Sequence, residues 1–259
     1  MVENNLPEDW ESKKLEDVGL FRYGYTATSI QENTGVKYIR ITDISENGSI
    51  DWENMPFCKI SNEEFEKYKI NEGDILFARI GATAGKTCYI ESKKDAAFAS
   101  YLIRFQVKHG TNSKFIYFFT QSSLYWSQAL RLREGQLKKG LNANTLAEIE
   151  ILLPSELEQN TIVNILSTID RRIDIVERER QAVERLKVGV MRELFAAKDW
   201  KIVKLSEVSE ILDNKRVPLS EMERAKRRGV YPYCGANGVI DYIDGYLFDG
   251  EHILIAEDG

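Results

Sequence analysis

Asp9-Trp10 opens the stretch DWESKKLEDVGLF, and Asp199-Trp200 opens DWKIVKLSEVSEIL in the same frame. Leu15 is answered by Leu205 and Val18 by Val208, an offset of 190 residues. The register returns further on, where NGSIDW (Asn47 to Trp52) is matched by NGVIDY (Asn237 to Tyr242). EGDILFARIG (Glu72 to Gly81) then reappears, with one residue inserted, as DGEHILIAEDG (Asp249 to Gly259), which sets Arg79 opposite Glu257. Self-similarity at a fixed offset governs how the rest of a chain is read. Between the two copies lies one long helical stretch. A duplicated domain joined by a rod can address two places a fixed distance apart.

The rod begins at Ser155-Glu156-Leu157-Glu158, a capping box with Ser at the N-cap and Glu three residues on. No proline follows until well past Ala197. Ile162, Leu166, Ile169, Ile173, Val176, Val183, Val190 and Leu194 follow the heptad rhythm, interrupted by Arg180 and Lys187. At 1.5 Å per residue such a helix is about 60 Å long. An apolar stripe of that length outruns the domain it leaves and calls for a coiled-coil partner.

Residues 1–154 read as a mixed domain. GVKYIRITDI alternates like a strand, Asn47-Gly48 signals a hairpin turn, and GDILFARIG is a short buried strand between glycines. Ser113 to Arg133 reads as one or two helices with an aromatic face, broken by Gly135 and Gly140. LNANTLAEIEILLP gives a turn or short helix and a strand ending at Pro154. The expected class is α+β: a mixed domain over 1–154, a spacer helix over 155–197, and an incomplete second copy over 198–259. That copy lacks the helices, closing strand and rod that follow Gly81 in the first.

Composition narrows the function. The chain has 259 residues with 43% hydrophobic content, enough for a packed core. No apolar run approaches a membrane span, and the acidic N-terminus MVENNLPEDW does not read as a signal peptide. Cys58, Cys88 and Cys234 are scattered and odd in number, which points to a reducing, cytoplasmic setting. Two histidines and no Cys-x-x-Cys leave no zinc site to expect. The net charge of −6 is unevenly spread. From Arg79 to Gly140 eleven Lys and Arg face three acids, so that window carries +8 and the remainder −14. Such segregation creates a local positive field suited to phosphate. Lys93, Lys94 and Lys108 read as solvating surface lysines.

Tests for catalysis fail. Gly81 to Thr87, GATAGKT, has one residue too few between its first glycine and Gly-Lys to be a P-loop. Gly81, Gly85 and Lys86 remain candidates for close approach to a phosphate backbone. Asp74, Glu91 and Lys93 trace a bare nuclease outline, in which the carboxylates would hold Mg²⁺. So short an outline recurs by chance in a chain this charged. No Pro-Pro pair supplies an amino-methyltransferase motif, and no Gly-x-Gly-x-x-Gly supplies a cofactor loop. The strongest binding element is Arg131 to Asn144, RLREGQLKKGLNAN. Arg131, Arg133, Lys138 and Lys139 suit phosphate, whereas Gln136, Asn142 and Asn144 can read base edges. Arg40 and Arg79 are further candidates for base readout.

The ordered set LPEDWESKKLEDV, GDILFARIGATAGK, GQLKKGLNANTLAEIEILLP, the rod EQNTIVNILSTIDRRIDIVERERQAVERLKVGVMRELF, and DWKIVKLSEV resembles the specificity (S) subunit of type I restriction–modification systems. The resemblance implies two target-recognition domains separated by antiparallel helices, each reading one half of a split double-stranded DNA site. It implies a non-catalytic adaptor. Methylation (M) subunits would supply S-adenosylmethionine chemistry, and restriction (R) subunits would supply ATP- and Mg-dependent cleavage. The incomplete second domain departs from that pattern. It suggests instead two chains pairing their rods as a homodimer. A stand-alone nuclease and a coiled-coil scaffold without a DNA role are the rival readings.

Overall fold

The computed structural model describes residues 10–45, 47–92, 94–134, 140–196 and 200–256. The chain divides into two compact units, Met1–Glu184 and Arg185–Gly259.

The first unit is opened and closed by one strand pair. β1 (Glu11–Lys14) runs antiparallel to β8 (Glu150–Leu153), with Glu11 opposite Leu153 and Lys14 opposite Glu150. The single-turn helix α1 (Leu15–Val18) follows, and its Leu15 amide donates to the Ile149 carbonyl at 2.9 Å. Next comes β2 (Gly19–Tyr23), the edge of a four-stranded antiparallel sheet. β4 (Ile75–Ala78), β5 (Thr87–Tyr89) and β7 (Leu102–Val107) complete it in the order β2-β7-β4-β5. Gly19 is closely packed: a Cβ there would stand 2.0 Å from the Phe105 ring.

All four residues of β4 are buried, as the unbroken apolar run GDILFARIG predicts. The reason lies on its two faces. Ile75 and Phe77 point into a core with Phe105, Tyr125, Leu146 and Ile151, where the Phe77 and Tyr125 rings lie 6.2 Å apart. Leu76 and Ala78 point into a second core with Ile39, Ile70, Ile90 and Phe98. The first core is roofed by α3 (Ser113–Thr120) and α4 (Ser123–Glu134). Asn112 caps α3 by accepting from the Lys114 and Phe115 amides. The second core contains a small parallel pair, β3 (Lys37–Ile39) with β6 (Ala96–Phe98), beside α2 (Asn62–Tyr68). GVKYIRITDI thus yields only a three-residue strand before a 3₁₀ turn at Ile41–Asp43. The Asn47-Gly48 signal does mark a turn, with Gly48 at φ 80, but its flanks pair through a single bridge, Ile44 to Ile50.

The short helix α5 (Ala143–Ala147) leads into β8, and β8 leads into α6 (Glu156–Phe195), 40 residues long and about 60 Å in rise. Ser155 Oγ accepts from the Glu158 amide at 3.4 Å, one half of the expected capping box, whereas the Glu158 carboxylate accepts from Trp10 Nε1 at 3.2 Å rather than from the Ser155 amide. The first turns are bolted to the first unit. Val163 is buried, Ile162 packs on the core, and buried Gln159 takes the Asn112 amide while donating to the Pro154 carbonyl. From Thr168 to Phe195 every residue of the helix is exposed.

The second unit is built differently. α7 (Leu205–Val208) repeats α1 at the 190-residue offset, but no strand flanks it among the described residues. α8 (Glu221–Lys226) leads into a hairpin of β9 (Arg228–Gly235) and β10 (Gly238–Ile243). Arg224 pairs with Asp241 at 3.2 Å and Arg227 with Asp244 at 2.8 Å. NGVIDY therefore forms a strand where NGSIDW forms a turn.

Candidate nucleic-acid interface

One end of the four-stranded sheet gathers most of the described candidates. There β2 ends at Tyr23, β4 ends at Ala78, β5 starts at Thr87 and β7 starts at Leu102. The β4–β5 hairpin closes with the Ala78 amide donating to Lys86 O and the Gly85 amide to Ala78 O, both at 2.8 Å. Residues 79–85 form its tip. A strand-to-strand tip differs from the strand-to-helix turn of a P-loop.

Arg79 sits where three segments meet. Its guanidinium carbon lies 4.9 Å from the centre of the Tyr23 ring. Its Nη1 donates to the Ser100 carbonyl at 3.4 Å. Its backbone amide donates to Tyr101 O at 3.1 Å, and its carbonyl accepts from the Leu141 amide at 2.8 Å. Nε is buried with no hydrogen-bond partner among the described residues. Gly81 is exposed at φ 76 with open space where a Cβ would project, so the backbone there is accessible. Lys86 is half-buried and pairs with no carboxylate among the described residues.

Gly85 serves another purpose. It is buried at φ 99, its missing Cβ would meet Trp126 at 3.1 Å and Leu141 at 3.4 Å, and its carbonyl accepts from the Tyr125 hydroxyl at 2.7 Å. Its backbone is packed under α4 and out of reach of a phosphate. Arg40 is likewise committed. Its Nε and Nη2 grip the Asp43 carboxylate at 3.0 and 2.7 Å, an embrace that holds the guanidinium above its ordinary pKa. Asn142 is the N-cap of α5: Oδ1 accepts from the Thr145 amide at 3.0 Å, which consumes the acceptor needed for bidentate adenine contact. Asn144, two residues on, is exposed. Arg131 is exposed and Arg133 half-buried in the last turn of α4. Gln136, Lys138 and Lys139 lie outside the described residues.

Not all of the +8 window belongs to this end. Arg104 is buried in the sheet, where Nη1 donates to the Lys69 carbonyl at 2.5 Å and stands 3.7 Å from Asp74. Lys108 donates to the Glu16 and Asp17 carbonyls, and Lys114 pairs with Glu91 at 3.1 Å. The nuclease outline dissolves for the same reason. Asp74 is buried and accepts from the Asn71 amide at 2.8 Å, and burial raises its carboxyl above the usual range. Glu91 is exposed and occupied by Lys114, and Lys93 lies outside the described residues. The described residues hold no group of His, Cys, Asp and Glu fit for a metal.

Two residues at this end escape a reading of the sequence: Tyr23, beneath Arg79, and Tyr101, 57% exposed beside it. Only the fold brings residues 23, 79, 101 and 141 together. On the rod, Ile169, Ile173, Val176, Val183, Val190 and Leu194 are exposed. Leu166 is half-buried, and Ile162 is withdrawn from any subunit interface by the core of its own unit. No helix among the described residues is long and apolar enough to cross a membrane.

This architecture is that of known restriction-system proteins. A chain from a structure titled for complex assembly and conformational transition of the type I R-M system superposes with a TM-score of 0.54 at 17% identity, covering 75% of this chain and 47% of that one. The family model described as the type I restriction modification DNA specificity domain matches residues 7–185 and 197–259. The chain belongs to that family. Among curated relatives it is similar to the putative type I restriction enzyme MjaX specificity subunit of Methanocaldococcus jannaschii, 28% identical over 224 residues, covering 82% of this chain and 52% of the relative. It is also similar to the MjaVIII specificity subunit of that organism, 27% identical over 243 residues, covering 83% and 53%. The chain spans about half the length of these relatives.

Proposed function

We propose that the chain is a sequence-specific DNA-binding specificity subunit that directs the methylation and restriction subunits of a type I system to a split double-stranded site. The family match over both copies carries this reading. The exposed tip at Gly81 with Arg79 and Lys86 on one sheet end supports DNA engagement by residues 1–154. Arg131, Arg133, Lys138 and Lys139 would hold phosphates, and Arg79, Gln136 and Asn144 would read bases. The chain itself is non-catalytic. S-adenosylmethionine, ATP and Mg²⁺ belong to its partners, and the setting is cytoplasmic. Salt-titrated binding of the full chain to duplex DNA tests it: alanine at 133, 138 and 139 should lower the slope of log K by roughly 0.9 per lost phosphate contact. Unchanged affinity and slope would remove these residues from that role. No salt-dependent binding at all would favour the scaffold reading.

The rod supports a second element. Its bare stripe from Ile169 onward suits antiparallel pairing of two chains about a two-fold axis, an isologous contact. Each side chain fully buried there would gain about 1.5–3 kcal/mol. Two identical first domains would then face a palindromic split site. A strict monomer by light scattering at tens of micromolar, with helix content intact, would refute the pairing. Ile169→Asp with Ile173→Asp should abolish it and spare the first domain.

A further inference from the structure

We infer that Tyr23 is the positioning residue of the reading head: its ring orients Arg79 for base recognition, and its hydroxyl locks that arginine to the start of α5. The inference rests on the DNA-binding reading above and names how its specificity is held. Tyr23 is the last residue of β2, fixed in register opposite Ile103 of β7. Its ring lies under the Arg79 guanidinium at 4.9 Å, inside the range where a cation is attracted by an aromatic face. Its hydroxyl oxygen accepts from the Ala143 amide at 3.0 Å. Leu141, two residues before Ala143, donates its amide to the Arg79 carbonyl at 2.8 Å. Residues 23, 79, 141 and 143, separated by up to 120 positions in sequence, thus form one closed circuit.

The circuit leaves Arg79 prepared but unspent. No carboxylate neutralises it among the described residues. One edge is anchored by Nη1 on the Ser100 carbonyl, one face by the ring, and Nε is buried without a partner. A guanidinium held this way loses little rotamer freedom on meeting a planar acceptor pair such as guanine O6 and N7. Arg40 supplies the contrast: its fork is already filled by Asp43. Tyr23 divides its labour between two partners. The ring serves Arg79 and the hydroxyl serves Ala143, so Tyr23→Phe and Tyr23→Leu remove different things.

Two measurements on the full 259-residue chain decide it. The first needs no DNA. The Nε–H resonance of Arg79, assigned by its disappearance in Arg79→Lys, should be ring-current shifted in the wild type. It should stay shifted in Tyr23→Phe and Tyr23→Trp and relax to the ordinary arginine position in Tyr23→Leu. An unshifted wild-type resonance overturns the inference whatever the protein binds. The second uses a pool of 30-base-pair duplexes with randomised positions. Arg79→Lys should lose preference at one base pair by about tenfold, Tyr23→Leu should lose it at the same pair, and Tyr23→Phe should retain most of it, all with unchanged salt slope. If the wild type selects a sequence and Arg79→Lys relaxes one position while Tyr23→Leu does not, the positioning role is refuted. If the wild type selects nothing, the DNA reading has failed, and this inference falls with it. Should Tyr23→Leu unfold, Tyr23→Trp carries the test: kept selectivity supports the ring as the active element, and selectivity lost with the fold intact refutes it.

Discussion

Leu15 and Leu205 occupy the same place in two copies of one motif, yet Leu15 is 0% exposed and Leu205 is 60% exposed. Val18 and Val208 repeat the contrast at 4% and 66%. Both motifs form the same single helical turn, α1 and α7. Local sequence therefore suffices for the turn and does not suffice for burial. What buries the first copy is a segment about 130 residues downstream: the Leu15 amide bonds to Ile149, and β1 pairs with β8. The described residues of the second unit contain no counterpart of α5 and β8. Position 19 tells the same story. Gly19 is pressed against Phe105, whereas its counterpart Ser209 is exposed, with room for a side chain whose hydroxyl donates to the Leu205 carbonyl at 2.7 Å.

The sharpest way to break this contrast is truncation of the paired leucines. Leu15→Ala should cost about 2–5 kcal/mol in denaturant unfolding, whereas Leu205→Ala should stay within about 0.5 kcal/mol. An equal cost at both would mean that α7 is buried in solution. Next in size, Gly19→Ser imports the second copy's residue into the first. It must displace the Phe105 ring and should cost about 1–3 kcal/mol; a neutral result would show that the first core is loosely packed. Hydrogen exchange probes the same pair without mutation. The Leu15 amide should exchange near the global unfolding rate and the Leu205 amide orders of magnitude faster, since few contacts hold its turn.

The smallest effect concerns the thiols. Burial pushes Cys58 up to about 11 and Cys88 up to about 12, while Cys234 of the second unit is exposed. An alkylating reagent at pH 8 should label Cys234 in the native protein and reach the other two only after unfolding, read by mass spectrometry. Both folded values lie above the unfolded thiol value of roughly 8.5. The native state therefore holds these protons longer, and their contribution to stability is complete below about pH 8.5 and is lost as pH rises toward the folded values.

Features carried by local pattern were legible in the sequence. The two helices over Ser113 to Arg133, the Ser155 cap and the buried strand at Ile75–Ala78 all appear where periodicity and capping residues place them. Features made by distant pairing were not. Nothing in ESKK announces a partner at EILL, and nothing in KYI announces a parallel partner at AAF. The rod's rhythm located its stripe but could not say that Ile162 is claimed by the core while Ile173 is not. In the candidate site, residue type named Arg40, Arg79, Gly85 and Asn142 alike. Tertiary structure separated them, tying Arg40 to Asp43, burying Gly85 under Trp126, turning Asn142 into a cap and leaving Arg79 available. Tyr23 was invisible because an aromatic at a strand end carries no signal until its neighbours are known.

The pairing of β1 with β8 has a topological consequence. Because the first four-residue strand lies beside the last, the chain enters and leaves its first domain at the same seam. Tyr23, Arg79, Gly81 and Lys86 all lie on the loop of chain between those two strands. The helix is tied to the seam, where Trp10 meets Glu158, and to the interior, where Asn112 meets Gln159 and Asn160 and where Ile162 and Val163 join the core. An exchange of the interior that kept the two border strands would keep the Trp10–Glu158 contact, and it would have to supply again the hold that Asn112 has on Gln159 and Asn160.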